Sequence, residues 1–140
     1  MKTFRTSRNI EASAKDIFAA IANQQKLAKW WGPSGFSNTF NLFEFKPGGK
    51  WSFVMHGPDG VNYPNEAEFT EIIPNEKVVI RHACQPFFTL TIQISETGNG
   101  SVLYWTQDFD SEEVAKNLAP IVVPANEQNI DRLTAQIQLG

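Results

Sequence analysis

Lys46-Pro47-Gly48-Gly49-Lys50-Trp51-Ser52-Phe53-Val54-Met55-His56 reads as a tight turn followed by a strand. Pro47 fixes φ where the first corner of a type II turn needs it, and Gly48 supplies the positive φ of the second. Beyond the turn, Trp51, Phe53 and Met55 fall on one face, with Lys50, Ser52, Val54 and His56 on the other. The same period of two continues on both sides. It predicts strands over 36–45, 49–56, 62–73, 77–83, 87–96 and 101–109, separated by plain breakers such as Gly57-Pro58-Asp59-Gly60, Pro74-Asn75-Glu76 and Gly98-Asn99-Gly100. Six successive strands joined by short loops imply an antiparallel meander.

Upstream, Lys2 to Ile10 alternates loosely and supplies a first strand able to pair with the far edge of the meander. Ser13, with Asp16 three positions on, resembles a capping box, and Ile17, Phe18 and Ile21 give the helix behind it an apolar stripe. A second short helix fits Gln24 to Trp31 and is ended by Gly32-Pro33. Trp30 and Trp31 are consecutive on that helix, so both are not expected to face the core. One, Trp30, is expected under the sheet edge and the other, Trp31, over the mouth of any cavity; a structural hinge between the helix and the first meander strand is the plainer reading of the pair, and a ring gating a pocket the alternative.

Downstream, Val114, Leu118, Val122, Ala125, Ile130, Leu133 and Ile137 recur at helical spacing, and Asn129 falls on the same stripe where a hydrophobe is expected. Pro120 and Pro124 argue for an interruption, since proline inside a helix costs ~3 kcal/mol. The expectation is a short helix from Ser111 to Leu118, a break, and a main helix from Pro124 to Gln138. Strand, two short helices, six strands and a long helix make an α+β fold, with a seven-stranded antiparallel sheet covered by the last helix. Packing between a twisted sheet and a single helix is often incomplete at the wide end, a natural place for a cavity.

The 140 residues suit one domain over 1–140, and a chain of this length buries roughly two-thirds of its unfolded surface without a disulfide or metal. Twelve Lys+Arg against fifteen Asp+Glu give a net charge of -3 with no basic cluster, which disfavours a nucleic-acid partner. Cys84 is the single cysteine and can form no internal disulfide or thiolate cage. No apolar run approaches ~20 residues, so membrane insertion is not expected and a cytoplasmic location is the default. Eleven Phe and four Trp require a large apolar interior, filled by rings or hollow and lined by them.

If hollow, its wall falls to Trp51, Phe53 and Met55, joined by Phe40, Leu42, Phe88, Leu90 and Ile92, and core packing is the plainer reading of the same set. The polar groups able to converge are His56, Asn65, Glu66, His82, Glu127 and Asn129. Glu66 faces solvent on strict alternation and turns inward only if Pro64 marks a bulge. His56 and His82 with a carboxylate would be the minimum for a zinc site, but their spacing has no motif value, and neither metal nor cofactor is expected. His82 and Cys84 are a conceivable nucleophilic pair, although Pro86 should end the strand first.

Lys29-Trp30-Trp31-Gly32-Pro33, Gly35-Phe36, Phe45 to Phe53 and Met55-His56-Gly57-Pro58-Asp59-Gly60 together resemble the activator-of-heat-shock-ATPase-like domains of the START-like, polyketide-cyclase-related superfamily. The segment Ala125 to Leu133 is similar to the terminal helix of a bacterial subgroup, with Pro120 and Pro124 as the departure. The resemblance implies a helix-grip fold with a ligand-sized cavity, and leaves cargo and catalysis open. Three readings follow: a binding domain for a hydrophobic or aromatic small molecule; a cyclase- or hydrolase-type enzyme using His56, Glu66 or His82 as acid–base group; and a co-chaperone that stimulates an ATPase in a stress response. The first is preferred, with Trp31 and Asn129 added to the wall residues and a second copy of the chain kept open as a partner.

Overall fold

The computed structural model describes residues 2–139, and its turns follow the sequence closely. At the 46–49 turn the Gly49 N–H donates to the Lys46 carbonyl at 2.8 Å, with Gly48 at φ +81°. The strands are β1 (Thr3–Ile10), β2 (Ser37–Phe43), β3 (Gly49–His56), β4 (Asn62–Ile73), β5 (Lys77–His82), β6 (Phe88–Thr97) and β7 (Gly100–Phe109). They form one seven-stranded sheet in the order β1-β7-β6-β5-β4-β3-β2, antiparallel throughout. The meander and the return of β1 to its far edge are both present.

Between β1 and β2 lie α1 (Ala14–Ala22) and α2 (Gln24–Trp30). Ser13 Oγ accepts from the Asp16 N–H at 3.1 Å, and Asn23 Oδ1 caps α2 through the Lys26 N–H at 3.0 Å. The expectation that only one of Trp30 and Trp31 would be buried is corrected: both are, at 0% and 7% exposure. Trp31 is the cap residue, in an extended conformation (φ -66°, ψ 130°), so its ring leaves the helical rotation and turns inward beside Trp30. Gly32 then takes φ +99°, and a Cβ there would meet Met55 Cε at 2.8 Å.

The expected break in the last helix is also corrected. α3 runs continuously over Glu112–Leu139 with Pro120 and Pro124 inside it. Ser111 Oγ caps its start through the Val114 N–H at 3.2 Å. Both prolines, with Ile121 and Val123, lie on the exposed side, so the Lys116 and Pro120 carbonyls that lose a helical donor open to water. Ala115 on one side and Ile130 and Leu133 on the other are fully buried, and this packing holds one helix across the defect. No helix among the described residues is long and apolar enough to cross a membrane.

α3 covers the buried face of the sheet and packs against α1, α2, β1 and β7. Under α2 the interior is solid with rings. Trp51 stacks on Phe53 at 4.2 Å and on Phe69 at 5.7 Å, and Trp31 meets Trp51 edge-on at 5.0 Å. Such pairs add ~0.5–1.5 kcal/mol each beyond the area they bury. The opposite end, where β3, β5 and β7 finish, lacks this filling.

Candidate functional site

At that end a cavity of about 520 Å³ opens between the sheet and α3. Its floor is Phe88 and Leu90 of β6 with Trp105, Gln107 and Phe109 of β7. The α2–β2 connection contributes Trp31, Gly32, Pro33 and Phe36, and β3 contributes Met55. Leu118, Ile121, Val122, Ala125 and Asn129 of α3 form the roof. Exposed Tyr63, Pro64, Gln85 and Ile121 mark the mouth. No Asp, Glu, Lys or Arg lines the cavity among the described residues.

Of the residues singled out from the sequence, Trp31, Met55, Asn65, His82, Phe88, Leu90 and Asn129 meet at this cavity. Trp51, Phe53 and Phe40 do not. Trp51 and Phe53 share a face with Met55 but sit deeper along β3, closed off by Trp31. Phe40 packs edge-on against both and lines a separate groove beside α2. Leu42 is 45% exposed because the pairing of β2 with β3 shifts between Phe40 and Leu42, turning Leu42 outward.

The acid–base candidates separate in the same way. His56 lies on the other face of β3, between Thr39 Oγ1 and Asn62 Oδ1 at 2.7 Å each. Glu66 is exposed and accepts from Ser52 Oγ at 3.0 Å. The inward turn considered for it does not occur, because β3–β4 register runs unbroken past Pro64 and the irregularity falls between Phe69 and Glu71, against β5. Pro64 is tolerated there because β5 pairing ends at Ala67. Glu127 is taken by Arg8 at 3.0 Å. Of the three groups proposed for acid–base work, only His82 reaches the cavity.

His82 is 6% exposed and stacks on Phe88 at 4.5 Å. Its Nδ1 lies 2.7 Å from the Pro86 carbonyl oxygen, which can only accept, so Nδ1 carries a proton. Its Nε2 is 2.6 Å from Asn65 Oδ1 and 3.6 Å from Cys84 Sγ. Burial lowers the His82 pKa, the Pro86 hydrogen bond opposes this, and the Arg81 charge adds to the lowering. Cys84 follows the end of β5 and does not line the cavity.

Asn129, expected to be paired or aimed at a ligand, is paired. Its Nδ2 donates to the Trp30 carbonyl at 3.0 Å and its Oδ1 accepts from the Gly32 N–H at 3.3 Å. One turn on, Arg132 donates to the carbonyls of Lys29, Trp31, Gly32, Pro33 and Phe36. Burial pulls its pKa down, yet an arginine keeps its charge at any physiological pH. These two side chains fasten one cavity wall to the roof.

Gln107 was not anticipated. The alternation of β7 carried the signal, since Gln107 lies between inward-facing Trp105 and Phe109. Among the described residues no cluster of His, Cys, Asp and Glu could hold a metal ion.

Residues 11–138 match the family model described as Activator of Hsp90 ATPase homolog 1-like protein. Solved structures of similar fold include a protein from Nitrosomonas europaea, at 17% identity and a TM-score of 0.88, covering 98% of this chain and 94% of that one. One from Arthrobacter aurescens shows 23% identity and a TM-score of 0.89, covering 99% of this chain and 87% of that one. A protein bearing the family's name, from Silicibacter pomeroyi, shows 18% identity and a TM-score of 0.77, covering 98% of each chain. At these identities the likeness is one of fold. No curated protein matches the sequence. With the family model matched almost end to end, the chain belongs to the Activator of Hsp90 ATPase homolog 1-like family.

Proposed function

We propose that the protein is a one-domain, cytoplasmic carrier or sensor that takes a hydrophobic or aromatic small molecule into the cavity between sheet and α3. The observation that carries this reading is the cavity itself: about 520 Å³, walled by rings and aliphatic side chains with no charged residue among those described. Its volume falls in the range of small-molecule sites, ~300–1,000 Å³. Folds of this family commonly hold hydrophobic ligands, which agrees with that wall.

Catalysis in the same cavity would fall to His82. Its one ring proton is held by the Pro86 carbonyl and its Nε2 faces the Asn65 side-chain amide, which favours binding over proton transfer. ATPase activation belongs to the family's name and has no counterpart in the cavity's chemistry.

Native mass spectrometry of freshly purified protein, with titration of an apolar fluorescent probe, tests the reading. A saturable single site weakened by filling the cavity supports it. Probe uptake indifferent to the cavity residues would overturn it.

A further inference from the structure

Among the described residues the buried polar side chains are His82, Ser101, Gln107 and Asn129. His82 is bonded to Pro86 and Asn65, Ser101 to the Ala12 carbonyl, and Asn129 to the α2–β2 backbone. Gln107 stands apart. It is 8% exposed, its Oε1 is enclosed without a partner, and no hydrogen bond involves its side chain among the described residues. Its neighbours across the sheet are Leu90 and Phe4, neither able to bond an amide side chain. Trp105 Nε1, two residues back on the same face, is likewise unpartnered.

Native interiors rarely leave such a group unsatisfied, because desolvation without a new hydrogen bond costs stability. An amide has a donor end and an acceptor end, so its complement is a small neutral group able to meet one or both. Charge is excluded for a separate reason. A carboxylate or ammonium entering a cavity without a counter-ion would lose its hydration and find no compensation.

Resting on the binding function proposed above, we infer that Gln107 is the specificity-determining residue of the cavity. The ligand is an uncharged, largely apolar molecule whose hydroxyl or carbonyl oxygen accepts from Gln107 Nε2, the end of the amide that is not enclosed. Fatty acids and other amphiphilic anions are selected against, and an aromatic alcohol or ketone is the class that fits.

The test uses the full chain at pH 7.5 with naphthalene, 2-naphthol and 2-naphthoate as probes of one ring system. Affinities are measured for native protein, Gln107→Leu and, should that variant fail to fold, Gln107→Met. Native protein should bind 2-naphthol about tenfold tighter than naphthalene, the worth of one good hydrogen bond, and 2-naphthoate most weakly. Gln107→Leu should bring 2-naphthol down to the level of naphthalene, leave naphthalene unchanged, and show no loss of stability in urea. If native protein takes 2-naphthoate as well as 2-naphthol, or the variant keeps its preference for the alcohol, this inference falls while cavity binding stands. If none of the three binds, both fall together.

Discussion

Arg132 of α3 donates to the Phe36 carbonyl at 2.8 Å and, from the same nitrogen, to the Lys29 carbonyl at 2.7 Å. One guanidinium therefore spans the whole connection from α2 to β2, with its other terminal nitrogen on the three carbonyls between. No carboxylate shares this cation among the described residues, so the positive charge is matched by backbone dipoles alone. Planar, fixed donors suit this task better than a lysine ammonium.

Replacing Arg132 by Met should cost about 2–4 kcal/mol of unfolding free energy, read from the urea midpoint, because several carbonyls lose a charged donor at once. Arg132→Lys should recover less than half of that loss. Equal stability of all three proteins would show that water replaces the clamp.

Asn129→Leu matches the side chain in size but strands the Gly32 N–H and the Trp30 carbonyl. A loss of about 1–3 kcal/mol is expected. The ratio of 2-naphthol to naphthalene affinity should stay as in native protein, since both ends of this amide are spent on the fold.

Trp51 and Leu90 should divide stability from binding. Trp51→Ala empties a site packed on every side and should cost about 3–5 kcal/mol. Leu90→Trp enlarges a buried floor residue of the cavity, so it should weaken naphthalene binding at least about tenfold while costing no more than the ~1–3 kcal/mol of overpacking, less than Trp51→Ala. Calorimetric titration and denaturation on the same samples check both.

The sheet was readable in the sequence because breakers and alternation agreed at every turn from Lys46 to Gly100. The cavity was readable only in part. Alternation places Trp51, Phe53 and Met55 on one face but says nothing of depth along the strand, and depth separates packed rings from the cavity wall. Trp31 escaped the helical period because a cap residue no longer obeys it. Local cost alone places a break at the α3 prolines, whereas distant packing on both sides holds the helix continuous. Gln107 is not legible in the sequence, because a lone amide in a strand carries no motif; only the absence of a partner in three dimensions gives it meaning.

His82 sets a pH dependence of known sign. Burial, the largest influence, holds its folded-state pKa below the ordinary 6.5. As pH falls below that value the unfolded chain takes up a proton that the folded chain resists. The contribution of His82 to stability is therefore full above about pH 7 and is lost progressively toward lower pH. Urea midpoints at pH 7.5 and 5.5 should differ more for native protein than for His82→Gln. The same difference in both would assign the pH effect to other groups.

Two prolines in α3 leave the Lys116 and Pro120 carbonyls without a helical donor, and the same stretch supplies Leu118, Ile121, Val122 and Ala125 to the roof. The sheet below is bonded strand to strand, so the roof is where the cavity opens at least cost. If the cavity takes a ligand as proposed, its residence time is then expected to depend on a few turns of one helix beside the mouth. Restoring the donors with a Pro120→Ala/Pro124→Ala double variant should slow both uptake and release in stopped-flow measurements while leaving the equilibrium affinity nearly unchanged. A change in affinity without a change in either rate would place the gate elsewhere. On the proposed function, the prolines that local rules count as a defect in the helix would set how quickly the cavity exchanges its contents.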